Sequence, residues 1–355
     1  MTLSTKPNPA GAGAPARSGA AATDRNASAF STFVRAREIP VASALVVLVV
    51  ITAVINSQFL NPQGVKDLLL NATILIIMAA GQSLVIITRN VDLSVGSVLG
   101  LVAFGTGSLF NAFPNIPIVV VFLIGMVFGA VLGGINGLLV TAAKVPALVI
   151  TLGTLYIFRG VLNAWAGGTQ YFAGDRPVSF SDLSTETVIG FPIITLIAVF
   201  VVVAVAIFMH AVRSGRDLYA IGSDPDAALL FGIPVSRRVL YAFVANGVLT
   251  GLAGVLYASR FNSVGATTGD GLELNVVAAA VVGGVAIAGG SGTVYGAAIG
   301  ALLLTTITSA LTAVRVDKFW QQAIVGLLIL ASIIVDRVAS IRRARKLRVS
   351  EARDV

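Results

Sequence analysis

Two short segments hold the side chains best placed to do chemistry. The first, Thr88-Arg-Asn-Val-Asp-Leu-Ser-Val-Gly-Ser97, sets a carboxylate and several hydroxyls between two strongly apolar runs. Asp92 and Ser94 have the spacing of caps for a following helix. A helix that ends beside a cavity also leaves backbone groups free for a polar solute. The second segment, Ser214 to Val235, mixes charged with apolar residues and is too long for a turn. Within it Asp224-Pro-Asp226 has the form of a helix start, with Asp224 as cap and Pro225 in the first position. Ala227, Ala228, Leu229, Leu230 and Phe231 continue that helix and Gly232 ends it. A short helix with an apolar face suits docking onto another protein, or lying on a lipid surface.

Other chemistries lack their residues. None of the five lysines (Lys6, Lys66, Lys144, Lys318, Lys346) sits in a G-x-x-x-x-G-K-[S/T] phosphate loop, so the chain is not expected to hydrolyse ATP alone. There is no H-E-x-x-H or G-x-S-x-G pattern. Cysteine is absent and His210 is the single histidine, so neither a thiol nucleophile nor a His/Cys metal cluster can form, and no metal or cofactor is expected on this chain. Ion-driven transport usually rests on ionisable residues buried in the membrane. Here the charges fall in loops or at the ends of apolar runs, Arg159 and Glu273 lying about one turn inside such ends.

The elements that must position these segments follow from composition. Of 355 residues, 56% are hydrophobic and 11% charged, and the mean hydropathy is +0.93. A soluble domain carries about 25% charged residues, and a disordered chain is poor in apolar ones. Neither fits. The expectation is an all-α, polytopic membrane helix bundle in three parts: a disordered cytoplasmic tail (1–38), a transmembrane domain (39–337, with a loop at about 213–238) and a basic cytoplasmic tail (338–355).

A span needs roughly 20 apolar residues. About ten runs qualify: 41–60, 68–88, 94–112, 117–141, 146–165, 188–210, 239–259, 273–289, 293–314 and 319–336, with 94–112 and 273–289 the two most open to being broken or re-entrant. Ten crossings put both termini on one side. That side then holds 18 of the 24 basic residues, as positive-inside topology requires of the cytoplasm. The net charge of +8 is thereby a topology signal, and the basic tails have no interleaved aromatic residues to suit nucleic acid. Glycines repeat every fourth residue at Gly125, Gly129, Gly133 and Gly137, at Gly247 and Gly251, and at Gly292, Gly296 and Gly300, a spacing that lets helix backbones approach closely.

At these same segments the sequence resembles the permease subunits of bacterial ABC importers for monosaccharides, the ribose, xylose and rhamnose group that includes the autoinducer-2 permeases. The resemblance runs from about residue 41 to 336. It is carried by Gly81-Gln-Ser-Leu-Val-Ile-Ile-Thr88 with Asp92-Leu-Ser-Val-Gly-Ser97, by Pro146-Ala-Leu-Val-Ile-Thr-Leu-Gly-Thr154 with Arg159-Gly160, by Gly215-Arg216, Tyr219-Ala-Ile-Gly222, Ala227-Ala228 and Gly232-Ile233, and by Gly283-Gly284 with Gly289-Gly-Ser-Gly292. Thr88-Arg-Asn90 is most similar to the rhamnose and autoinducer-2 branch. The resemblance implies a multi-pass protein of the bacterial inner membrane, working by alternating access with a second permease subunit, a periplasmic sugar-binding protein and a cytoplasmic ATPase that uses ATP and Mg.

It also implies that Gly215, Arg216, Tyr219, Ala220, Gly222, Asp224, Asp226, Ala227, Ala228, Gly232 and Ile233 couple to the ATPase. Asp224 stands where the family commonly has Asn, and Leu229-Leu230 replaces a frequent Arg. For a neutral, hydroxyl-rich solute the implied pathway residues are Asn71, Gln82, Asp92, Ser94, Asn136, Thr151, Thr154 and Asn275, side chains that serve equally well as hydrogen bonds between helices. A passive channel or an ion-coupled carrier for a small polar solute is the competing expectation.

Overall fold

The computed structural model describes residues 38–143, 145–317, 319–327 and 330; the expected tails, but for Glu38, lie outside them. The helices are α1 (Glu38–Ile55), α2 (Pro62–Ile87), α3 (Val95–Ala112), α4 (Ile118–Ala143), α5 (Ala147–Ala166), α6 (Val178–Asp182), α7 (Ile193–Ala211), α8 (Arg213–Ser223), α9 (Pro225–Leu230), α10 (Val235–Arg260), α11 (Leu272–Val282) and α12 (Val294–Ala313). Residues 319–327 are also helical. Two small antiparallel pairs complete the fold: β1 (Tyr171–Phe172) with β4 (Ser263–Val264), and β2 (Thr187–Val188) with β3 (Phe191–Pro192).

Among the described residues, seven helices are long and apolar enough to span a membrane: α2, α3, α4, α5, α7, α10 and α12. The bundle is that of a multi-pass membrane protein. Several runs differ from expectation. The run 41–60 is helical only to Ile55, because the Asn56 side chain caps a separate 3-10 turn, Ser57–Leu60. Asn56 Nδ2 also donates to the Ala313 carbonyl, tying that turn to the end of α12. The run 188–210 starts as a helix only at Ile193, its first residues forming the β2–β3 hairpin around Ile189 and Gly190, both at positive φ. The run 94–112 is a single unbroken helix. Of 319–336, only 319–327 and 330 are described.

The largest departure is at 273–289. This is no span: α11 has 11 residues and stops at Val282. Gly284, Gly289, Gly290 and Gly292 all take positive φ, a backbone that cannot continue a helix. The segment before α11 is equally irregular. β4 pairs with β1 beside Gly107 of α3, yet a few residues later the Thr268 carbonyl and Gly269 lie against Gly100 and Gly96. Eleven residues of helix separate Gly107 from Gly96, so the strand end turns about 16 Å back into the bundle. Residues 261–271 and α11 together form a re-entrant loop and a half-helix.

Close packing follows the glycines. A Cβ on Gly129 or Gly133 of α4 would overlap the carbonyls of Gly247 or Phe243 on α10, and one on Gly251 would overlap the Gly125 carbonyl. The two expected stripes face each other, and backbone contact replaces side-chain contact between them. Gly283 and Gly300 do the same between α11 and α12, against Gly296 and Ala279. Gly292 precedes α12 and belongs to no stripe.

Candidate functional site

Of the eight polar residues expected along a pathway, Gln82, Asp92, Ser94 and Asn136 lie together in a buried network, and Thr151 and Thr154 are buried on α5. Asp92 Oδ1 accepts from the Ser94 N–H at 2.9 Å, the Ser94 hydroxyl at 2.7 Å and Asn136 Nδ2 at 3.3 Å. Its Oδ2 accepts from Asn246 Nδ2 at 3.2 Å, and that amide also donates to Gln82 Oε1 at 3.3 Å. Asn136 Nδ2 donates to the Ser94 hydroxyl at 2.7 Å. Thr151 donates to the Val91 carbonyl at 3.1 Å, while Thr154 donates to the Thr151 carbonyl on its own helix. All are buried.

This network joins α2, the 88–94 segment, α4 and α10 through neutral amides and hydroxyls. A carboxylate at membrane depth is costly unless such donors surround it. The expected capping by Ser94 is not formed: its hydroxyl is spent on Asp92, and the carboxylate instead closes the turn before α3. Asn246, absent from the sequence expectation, supplies the bond to Oδ2. Its position directly before Gly247, in an apolar run, gave only a weak signal.

The other two, Asn71 and Asn275, line a cavity of about 640 Å³. Its walls come from α2, the end of α10, the start of α11, α12 and residues 321–326. Thr305, Thr308, Gln321 and Gln322 add hydroxyl and amide groups, and among the described residues no charged side chain lines it. Tyr257 and Phe261, both in its lining, stack on one another, ring centroids 4.2 Å apart and 27° from parallel. The volume falls in the range of about 300–1,000 Å³ usual for small-molecule pockets.

One wall of the cavity depends on Arg159. This residue lies in the middle of α5, deeper than expected, and instead of snorkelling it binds the re-entrant loop. Its Nη1 donates to the carbonyls of Ala266 (3.1 Å) and Thr268 (2.7 Å), and Nη2 pairs with Asp270 at 3.3 Å. Irregular backbone at membrane depth needs such internal partners. The loop so held leads directly into Gly271, Leu272, Leu274 and Asn275.

The 213–238 segment is two helices where one was expected. α8 buries Leu218 and Ile221, with Gly215 pressed on the Phe208 carbonyl and Gly222 on that of Ile87. Arg216 donates to the last carbonyls of α7, His210 and Ala211. Asp217 pairs with Arg238 at 2.9 Å. Tyr219 donates to the Gly292 carbonyl at 3.0 Å, and burial pushes its phenol above the ordinary value.

The short helix α9 begins at Pro225, and Asp224 accepts from the N–H groups of Asp226 and Ala227. Gly232, at φ +76°, closes it with a Schellman turn, Ile233 N–H returning to the Ala228 carbonyl. Of the eleven residues singled out, Gly215, Gly222 and Ala228 are buried and support the module; Arg216, Ala220, Asp224, Asp226 and Gly232 are exposed; Tyr219, Ala227 and Ile233 lie between. Leu229, Leu230 and Phe231, outside that set, form the apolar tip, Leu230 and Phe231 being 89% and 86% exposed.

Residues 64–333 match the family described as Branched-chain amino acid transport system / permease component. The chain is 36% identical over 322 residues to the Autoinducer 2 import system permease protein LsrC of Enterobacter sp. (strain 638), covering 90% of this chain and 93% of that protein. It is 36% identical over 300 residues to the proteins of the same description from Escherichia coli (strain K12 / DH10B) and Salmonella paratyphi B, covering 84% of this chain and 86% of each of those. No solved structure matches.

Proposed function

Because the chain belongs to the family of branched-chain amino acid transport system permease components, we propose that it is the membrane permease of an ATP-driven importer whose cargo is a neutral, hydroxyl-rich solute, a monosaccharide or an autoinducer-2-like molecule. The observation that carries the cargo class is the 640 Å³ cavity. Six amide or hydroxyl side chains stand among its apolar lining residues, two stacked aromatic rings form part of its wall, and no charged group among the described residues is there to meet an ammonium or carboxylate. An amino acid zwitterion would lose its hydration without charged partners, at a cost far above that of a hydroxyl, which an amide can replace.

The orientation follows from charge. The end bearing Arg89, Arg213, Arg216, Arg237 and Arg238, with α8 and α9, lies in the cytoplasm of the inner membrane. There the apolar tip of α9 seats in a separate ATPase, which binds ATP and Mg, while this chain binds no cofactor. The cavity faces the opposite, periplasmic side, where a sugar-binding protein delivers the solute and a second permease, a copy or a relative, completes the pathway. Asn71 and Asn275 contact the cargo; Gln82, Asp92, Ser94, Asn136 and Thr151 hold the helices that change the cavity's access. ATP-driven movement at α9 favours one state of the bundle over the other, which is all that alternating access requires.

Reconstitution with the ATPase and the binding protein tests this. ATP-dependent uptake of a labelled monosaccharide with no uptake of leucine is expected, and leucine uptake refutes the cargo assignment. Asp226→Arg and Gly232→Trp should each abolish uptake with the protein still in the membrane; full uptake in both removes the docking role. Accumulation of solute by the chain alone in liposomes would instead identify an ion-coupled carrier.

A further inference from the structure

We propose that Arg89 is the strut that carries movement of the α8–α9 module into the membrane bundle, a positioning residue for transport that rests on the docking reading above. The argument begins with its backbone. α2 ends in a Schellman turn: the Arg89 N–H returns to the Ile86 carbonyl at 2.9 Å and the Asn90 N–H to that of Val85 at 3.3 Å. The residue in the left-handed position of such a turn is usually glycine, because any other side chain is strained there. α9 obeys this with Gly232. α2 does not: the position holds Arg89, at φ +65°. A left-handed, non-glycine residue persists where its surroundings hold it, and such residues gather at functional sites.

What the arginine gains is a grip on α8. Its Nε donates to the Gly222 carbonyl at 2.6 Å and its Nη2 to that of Ser223, the last residue of the helix. No basic residue of α8 occupies its own last turn, so Arg89 provides the cation that the negative end of the helix favours. The junction is filled from a third side. The Gly290 N–H donates to the Ile87 carbonyl at 2.9 Å, and a Cβ on Gly289 would overlap Cγ of Arg89. Asp224, the cap of α9, follows Ser223 directly. On the other side, three residues after Arg89, Asp92 begins the buried network that joins α2, α4 and α10. The Asp217–Arg238 pair and the Tyr219–Gly292 bond also tie the module to the bundle, but Arg89 is the contact that joins the α8–α9 junction to the segment carrying Asp92.

Arg89→Gly is the informative variant, since glycine fits the left-handed position better than arginine and removes only the grip. In the assembled importer with its ATPase and binding protein, Arg89→Gly should capture the ATPase as well as the wild type does and keep its basal ATP hydrolysis and thermal stability. Uptake, and the stimulation of ATP hydrolysis by loaded binding protein, should fall about tenfold, the size of a typical coupling between sites. Arg89→Lys, which keeps the charge on a single donor nitrogen, should recover part of both. Wild-type uptake by Arg89→Gly overturns the proposal, and so does an equal fall in basal and stimulated hydrolysis. Loss of ATPase capture by Arg89→Gly places the residue in docking and also overturns it. Failure of the wild-type chain to capture the ATPase refutes the docking reading itself, a separate result.

Discussion

Replacing Arg159 by Met tests whether a buried cation holds the re-entrant loop. The change keeps most of the side-chain volume and removes every donor. Two hydrogen bonds from the guanidinium to the Ala266 and Thr268 carbonyls are lost, at 3.1 and 2.7 Å. Hydrogen bonds to charged groups contribute about 1.5–3 kcal/mol each in water-soluble proteins, whereas polar contacts between membrane helices average nearer 0.6 kcal/mol, so about 1–1.5 kcal/mol apiece is reasonable. The Asp270 side chain is 65% exposed, so its ion pair adds under about 1 kcal/mol. Arg159 Nε is buried without a partner, and its removal returns part of that desolvation cost. The net expectation is a loss of about 2–3 kcal/mol, read by reversible unfolding in mixed micelles. Because the loop leads into Leu272 and Asn275, KM for the cargo should rise roughly tenfold with a smaller change in kcat. Arg159→Lys should lose about half as much stability. Unfolding within about 0.5 kcal/mol of wild type, with unchanged KM, would refute the reasoning.

Three further outcomes are expected. Gly133→Leu should prevent stable assembly, because its side chain meets the Phe243 carbonyl, whereas Gly134→Ala, with only Val244 at 3.6 Å, should change the thermal midpoint little; fluorescence-detected gel filtration on heating compares them. Asp92→Leu removes the acceptor from the Ser94, Asn136 and Asn246 donors and should cost about 3–5 kcal/mol, more than Asp92→Asn, which retains one acceptor oxygen. Phe231→Ala should weaken ATPase capture roughly tenfold or more, as one apolar side chain contributes about 1.5–3 kcal/mol on burial; binding by surface-immobilised ATPase reads it directly.

Helix positions could be read from the sequence where apolar length decides them, and the cap at Asp224 where side-chain chemistry does. The partners of the glycine stripes could not: spacing marks Gly129 and Gly247 as small faces but does not say that they meet. The half-helix was hidden for a related reason. The run 273–289 is apolar enough to pass for a span, and only the paired glycines within it, Gly283-Gly284 and Gly289, mark the break. α8 is amphipathic but short, its apolar side limited to Leu218, Tyr219 and Ile221 among charged and small residues, which hides it beside the long apolar runs. The division of the amides was beyond sequence altogether. Asn71 and Asn136 are the same chemical group in similar runs, and only the tertiary packing sends one to a cavity and the other to a carboxylate.

The contact between α4 and α10 has a mechanical consequence. Where two helices touch through backbone atoms over several turns, no side-chain layer remains to repack, and sliding by one residue would drive a β-carbon into a carbonyl oxygen. The pair therefore travels as a single rigid beam. α11 and α12 are joined in the same way through Gly283 and Gly300, so rearrangement is left to the side-chain contacts between these two pairs.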